Sequence, residues 1–249
     1  MAKQIKITQD SILQVEAAIA ISGELKKLGI DHAFIGGIAL FIHRSHRLTQ
    51  DIDLLADVLP LSIHSYLRPE IAKVNRHFNG VGLKYYFAPS LVGDLEGEQL
   101  VFANDRNVLI EALPTKSLGL PSQAGLIILH GDEIEETSVS SNTYKLPILR
   151  LSVLILTKLK RWANVYESTR PSFIQKANSD RVDITFLLSW LEDRDLSISF
   201  AAYNSQHPSH LDAAVKTYSD YLKANKITSD RDHLEKVITV EDWQRIRFQ

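Results

Sequence analysis

One interval constrains this chain more than any other: the glycine pair Gly36-Gly37 is followed by two aspartates at alternating positions, Asp51 and Asp53. In a strand, side chains two positions apart point to the same face, so both carboxylates would aim at one spot. Two like charges held this close repel each other unless a cation lies between them, and hard divalent cations take oxygen ligands. The interval therefore predicts a metal site on a strand flanked by apolar residues.

The glycine pair follows a short apolar run at residues 33–35, and a short helix is predicted from Ile38 onward. Glycine lets a backbone approach a ligand closely, and a helix N-terminus favours phosphate. We interpret Gly36 and Gly37 as a phosphate-binding turn. The alternative is a tight connection between a strand and a helix, without a ligand.

Composition limits the class of protein. The chain has 249 residues, which is enough for one large domain or two smaller ones. It has no apolar run near the roughly 20 residues of a membrane-spanning helix and no signal-peptide pattern, so we expect a cytoplasmic protein with no membrane partner. It has no cysteine, which excludes disulfides and thiolate metal sites. The net charge of −2 argues against a general nucleic-acid binder.

Helices and short strands are interspersed early in the chain, and strand signals fade later. We predict strands at residues 32–35, 51–56 and 83–88, a turn at Asn79-Gly80, a hairpin formed by residues 100–103 and 108–112, and a short strand at 126–129. Helices are predicted at 10–28, 38–43, 62–78, 149–162, 180–191, 209–225 and 239–247, with an irregular segment at 166–179. The pattern predicts an α/β (α+β) mixed-sheet core with flanking helices at residues 1–140 and a mainly helical C-terminal domain at 141–249.

A third acid, Glu111, lies in the apolar run 108–113. A lone charge in such a run is costly unless it is paired or metal-bound. Phosphoryl-transfer sites with two metals use a further carboxylate to hold an ion or to activate the attacking hydroxyl. We interpret Glu111 as the third member of the site; the alternative is an edge strand whose polar side faces water.

The interval resembles the signature of nucleotidyltransferases of the DNA polymerase beta-like superfamily, in their bacterial minimal and abortive-infection toxin branch. The residues that carry the resemblance are Gly36-Gly37, Ala39-Leu40, His43, Arg47, Thr49 and Asp51-Ile52-Asp53-Leu54. Residues 154–160 and 179–184 are similar to two downstream helices of that family. The chain departs from the family pattern at the cationic loop 44–47 and at Glu111, where aspartate is commoner.

The resemblance implies a mixed-sheet nucleotidyltransferase core and transfer of a nucleoside monophosphate from a nucleoside triphosphate, with Mg²⁺ as cofactor. Asp51, Asp53 and Glu111 would be the metal ligands and catalytic residues, with Glu111 either completing the metal site or acting as general base. Gly36, Gly37, Arg47, Thr49 and Lys158 would bind the nucleotide, and Asp183 would support the site by anchoring Lys158 or an arginine.

Several of these roles have alternatives. Thr49 either contacts a phosphate, positions the aspartates or only begins the strand, and Arg47 either contacts the triphosphate or pairs with an acid. Lys158 either extends to water or meets phosphate. His43 is interpreted as a packed histidine.

The acceptor hydroxyl could belong to a small molecule, a protein side chain or an RNA end, so nucleic acid stays a possible but not a favoured partner. Two other functions are compatible with the sequence. One is a nucleotidyltransferase fold that has lost turnover and acts as a binding module. The other is a hydrolytic metal site at Asp51 and Asp53.

Overall fold

The computed structural model describes residues 5–43, 45, 49–59, 61–89, 93–115, 120–121, 137–139, 142–144, 146–203 and 207–247. The chain divides into two compact units. The first comprises Met1–Ser117 and Ile128–Leu149, and the second comprises Leu118–Ile127 and Arg150–Gln249. The boundary that the sequence predicted at residue 140 lies within the second segment of the first unit.

The first unit contains a mixed sheet with helices. Its helices are α1 (Ser11–Lys27), α2 (Gly36–Ile42), a π-helical turn at Ile63–Leu67 that continues into α3 (Arg68–Val74), and α4 (Gly97–Ala103). Its strands are β1 (His32–Ile35), β2 (Asp51–Ala56), β3 (Phe78–Val81), β4 (Lys84–Phe87), β5 (Val108–Pro114), β6 (Thr137–Val139) and β7 (Asn142–Tyr144). The predicted strand at 126–129 lies outside the described residues.

Five of these strands form one sheet in the order β1-β2-β5-β4-β3. The pairing of β2 with β5 is parallel, and the other three pairings are antiparallel. The strands β1 and β3 are therefore the edges of the sheet, and the inner strands are β2, β5 and β4. The mixed α/β fold that the sequence predicted is confirmed.

One face of the central strands is covered by α1. The side chain of Asp10 caps α1 by accepting hydrogen bonds from the backbone N–H groups of Ile12 and Leu13. Ile21 and Leu25 of α1 line the same small interior space as Leu54 of β2 and Ile110 of β5. Side chains in a strand alternate between faces, so this burial leaves the aspartates of β2 on the opposite face.

Two local predictions in this unit were wrong. Residues 100–103 do not form a hairpin with β5, because Leu100 and Val101 are buried on helix α4. Asn79-Gly80 is not a turn but part of β3, and the reversal before β4 lies at Gly82, which has φ +59°. The first error arises because an apolar run of four residues is too short to separate a helix from a strand, and the second because a short polar segment is compatible with either a turn or a strand end.

The second unit is helical. It contains α5 (Leu151–Val165), α6 (Pro171–Glu192), α7 (Phe200–Tyr203), α8 (Pro208–Ala224), α9 (Thr228–Val237) and α10 (Val240–Arg247). The prediction of an irregular segment at 166–179 holds for residues 166–170 but was wrong for residues 171–179, because Pro171 lies in the first turn of α6, where its missing N–H costs nothing. Among the described residues, no helix is long and apolar enough to cross a membrane.

Candidate functional site

Two aspartates and a glutamate face one another on adjacent central strands. On β2, Asp51 and Asp53 are half-buried and alternate with Ile52, which is fully buried. On β5, Glu111 is the register partner of Asp53, and it is exposed. Residues in register on neighbouring strands carry their side chains on the same face. The parallel pairing of β2 with β5 therefore adds Glu111 to the two aspartates.

Each of these three carboxylates offers an oxygen atom that lies within 4.8 Å of the oxygens offered by the other two. Three negative charges at this spacing repel one another, so the arrangement favours a bound cation. Carboxylate oxygens are the ligands that Mg²⁺ prefers, and Glu111 leaves the site open to solvent for water or phosphate ligands. The donor set therefore fits Mg²⁺.

The two glycines lie directly against the side chains of this site. Gly36 has φ +66°, and a Cβ added there would lie 2.0 Å from Oδ2 of Asp53. A Cβ added at Gly37 would lie 2.5 Å from Oγ1 of Thr49. A real Cβ does not tolerate contacts this short, so each position requires glycine whether or not a phosphate binds. The glycine pair begins α2 and leaves room for Asp53 and Thr49.

Thr49 connects the start of β2 to helix α1. The Thr49 hydroxyl lies 3.0 Å from the backbone oxygen of Asp51 and 3.1 Å from its Oδ1, and it donates toward both. The backbone oxygen of Thr49 accepts a hydrogen bond of 2.6 Å from Nε2 of Gln14. Both Thr49 and Gln14 are buried. Of the open roles for Thr49, this geometry agrees with positioning of an aspartate.

Gln14 was not identified from the sequence. It lies on the face of α1 that also carries Ala18, Ile21 and Leu25, all of which are buried. The sequence did contain a signal: Gln14 falls at the helical spacing of the apolar residues of α1. A buried amide needs hydrogen-bond partners, so this position indicates a specific contact. His43, which follows α2, is buried at 2% exposure, and Arg47 lies outside the described residues.

Lys158 and Asp183 lie in the helical second unit. The Lys158 ammonium group donates a hydrogen bond of 2.6 Å to Oδ2 of Asp183 and lies 3.7 Å from Oδ1 of Asp180. Arg161 donates to both oxygens of Asp180. The Lys158 side chain is 3% exposed, and burial lowers the pKa of its ammonium group while the Asp183 carboxylate opposes that shift. Lys158, Asp180 and Asp183 thus form a buried network in which Asp183 holds Lys158, and the partly exposed Arg161 pairs with Asp180 at its edge.

A comparison with solved structures shows that the mixed sheet and the helices after it form a nucleotidyltransferase-like fold. The structure is similar to the crystal structure of an antigenic nucleotidyltransferase-like protein from Paracoccidioides brasiliensis, with a TM-score of 0.59. The sequences are 16% identical, and the match covers 94% of this chain and 96% of the other. No protein-family model matches the sequence, and no curated protein matches it.

Proposed function

We propose that this protein is a Mg²⁺-dependent nucleotidyltransferase, which transfers a nucleoside monophosphate from a nucleoside triphosphate to an acceptor hydroxyl group. The observation that carries the proposal is the register pairing of Asp53 with Glu111, since it makes Glu111 the third carboxylate beside Asp51 and Asp53. The nucleotidyltransferase-like fold supports the same reaction class.

Asp51, Asp53 and Glu111 are the proposed metal ligands. When bound, Mg²⁺ offsets the negative charge that develops on the phosphate oxygens during the transfer. Thr49 donates a hydrogen bond to Asp51 and so limits the rotation of its carboxylate. Gly36 leaves the space that the Asp53 carboxylate occupies.

The proposed transfer forms a bond between the acceptor oxygen and the α-phosphorus while the bond from that phosphorus to the pyrophosphate oxygen breaks. The acceptor hydroxyl must lose its proton. Glu111 is exposed, so its carboxylate can reach an acceptor that enters from solvent, and we propose that it completes the metal site or takes this proton. Gly36, Gly37 and Thr49, with Arg47 and Lys158, are the proposed nucleotide ligands.

The acceptor is proposed to be a hydroxyl group of a small molecule, a protein side chain or an RNA 3′ end. The test incubates the full chain with Mg²⁺, each ribonucleoside triphosphate labelled at the α-phosphate, and a panel of these three acceptor classes. We expect pyrophosphate release in proportion to transferred label. The Asp51→Asn/Asp53→Asn variant should lower the rate by more than about 100-fold, because the groups that stabilise the transition-state charge are removed.

The matched control is Asp94→Asn, which removes an exposed aspartate from the same unit and should keep the parent rate. Nucleotide binding without pyrophosphate release over the whole panel would instead indicate a catalytically inactive binding module. Release of inorganic phosphate without pyrophosphate would indicate a hydrolase.

A further inference from the structure

A buried glutamine on helix α1 holds Thr49, which lies just before strand β2. Gln14 is 1% exposed, and its side-chain amide donates to the backbone oxygen of Thr49 at 2.6 Å. The amide nitrogen must face Thr49, because a carbonyl oxygen only accepts hydrogen bonds. Thr49 lies two residues before Asp51, the first residue of β2, so the sheet's own hydrogen bonds begin after it. At Thr49, therefore, the hydrogen-bond donor to the backbone oxygen comes from the helix residue Gln14, whereas further along β2 it comes from a neighbouring strand.

The Thr49 side chain extends this contact to the acidic site. Its hydroxyl has one proton, which is directed to Asp51 at the backbone oxygen and at Oδ1. The same hydroxyl lies against Gly37, where a Cβ would be only 2.5 Å away. Gln14 thus fixes the backbone of Thr49, while Gly37 and Asp51 define the place of its hydroxyl.

We propose that Gln14 is a positioning residue for the metal centre: acting through Thr49, it fixes the Asp51 carboxylate in the orientation that binds the divalent cation. The inference rests on the proposed metal-dependent function. Hydrogen-bond partners behind a metal ligand orient that ligand, and removing one typically weakens metal binding by about 10- to 100-fold.

The test measures the dissociation constant for Mn²⁺ by calorimetry on the full chain. Gln14→Met keeps the length of the side chain but removes the donor, and Thr49→Val removes the hydroxyl. Both variants should bind Mn²⁺ at least about tenfold more weakly than the parent. Thr49→Ser keeps the hydroxyl and should bind Mn²⁺ as the parent does, which a purely structural role of the threonine methyl group would not produce.

The matched control is Ser22→Ala. Ser22 is also buried on α1, and its hydroxyl lies 2.9 Å from Nε2 of His32, so the variant breaks a buried contact between the same helix and the sheet. It should lower stability without changing Mn²⁺ affinity. A folded Gln14→Met variant that binds Mn²⁺ as tightly as the parent would overturn the inference, and so would an equal loss of affinity in Ser22→Ala.

Thr49→Val decides the matter if Gln14→Met does not fold, because it removes the hydroxyl group through which Gln14 acts on Asp51. A folded Thr49→Val variant that binds Mn²⁺ as tightly as the parent would overturn the inference. If the parent itself shows no Mn²⁺ binding that depends on Asp51 and Asp53, the proposed function fails as well.

Discussion

Asp53 on β2 and Glu111 on β5 are register partners across a parallel strand pair, and each offers an oxygen within 4.8 Å of the other and of Asp51. Parallel strands in register carry partner side chains on one face of the sheet. The pairing therefore brings together acids that are distant in sequence. It also makes the metal-free site a place of concentrated negative charge.

Neutralising Glu111 should stabilise the metal-free protein. Like charges opposite each other on a sheet are destabilising, so Glu111→Gln is expected to raise the free energy of unfolding by about 0.2–1 kcal/mol in the presence of a chelator. With saturating Mg²⁺ the order should reverse, because the parent gains more from the cation. Urea unfolding followed by circular dichroism measures both states.

The control for this comparison is Glu98→Gln, which removes an exposed glutamate from the first turn of α4 in the same unit. It should show no reversal between chelator and Mg²⁺. A parent protein whose stability does not respond to Mg²⁺ at all would contradict the assignment of the three acids as metal ligands.

Gly36→Ala should weaken metal binding more than Gly82→Ala, although both substitutions strain the backbone similarly. Gly36 and Gly82 both have positive φ, +66° and +59°, so alanine is strained at either position by about 1–2 kcal/mol. Only at Gly36 would the new Cβ meet Asp53, at 2.0 Å, whereas Gly82 has open space around it. Gly36→Ala should therefore be less stable than Gly82→Ala. Its Mn²⁺ affinity should also fall at least about tenfold, because the new Cβ displaces the Asp53 carboxylate, as the loss of a supporting contact would. Gly82→Ala should keep the parent affinity, and equal affinities in the two variants would contradict the close contact.

The stability of the second unit should depend on the pairing of the Lys158 charge with the Asp183 charge. Lys158→Met leaves the Asp183 carboxylate buried without its cation, which typically costs about 3–5 kcal/mol. The double variant Lys158→Met/Asp183→Leu removes both charges and should recover most of the loss. All three tryptophans of the chain, Trp162, Trp190 and Trp243, lie in the second unit, so their fluorescence during urea unfolding reports on it.

The same variant tests the nucleotide role that the sequence predicts for Lys158. Calorimetry with a nucleoside triphosphate and Mg²⁺ should be run without urea, at a temperature at which both the parent and Lys158→Met are folded. The folded variant should bind the nucleotide more weakly than the parent, and equal binding would contradict a nucleotide role for Lys158.

His32 should make the first unit less stable at acidic pH. Burial lowers the pKa of its imidazole below the ordinary value of 6.5. The unfolded chain therefore binds a proton below about pH 6.5 that the folded chain resists, and stability falls as pH drops through this window. Nδ1 of His32 lies 3.0 Å from the backbone oxygen of Ile30, so the neutral ring donates there and its Nε2 accepts from Ser22.

The measurement compares the parent with His32→Gln by urea unfolding between about pH 5 and 7.5, because groups other than His32 contribute equally to both proteins. The difference in stability should shrink as pH falls. A constant difference over the range would mean that His32 does not resist protonation.

Local sequence patterns predicted the parts of the site that depend on residues close together in the sequence. The strand at residues 51–56 and its two aspartates on one face follow from the alternation of side chains along a strand. The helix at Gly97–Ala103 was missed, because Leu100 to Ala103 is too short a run for its period to separate helix from strand.

Contacts between distant segments could not be predicted in this way. The register that places Glu111 beside Asp53 depends on a parallel pairing across most of the first unit, and parallel strands have no turn to fix their register. The hydrogen bond from Gln14 to Thr49 likewise depends on how α1 lies on the sheet. The glycine pair was read as a phosphate-binding turn, whereas the structure adds a reason that sequence spacing does not contain: room for Asp53 and Thr49.

The most direct measurement is a crystal structure of the full chain with Mn²⁺ and a triphosphate whose bond between the α- and β-phosphates resists cleavage. Anomalous scattering from manganese locates the ion without reference to any expected ligand. The proposed function predicts a peak bounded by oxygens of Asp51, Asp53 and Glu111, with the α-phosphate beside it. A peak elsewhere, or a triphosphate bound away from these three acids, would contradict it.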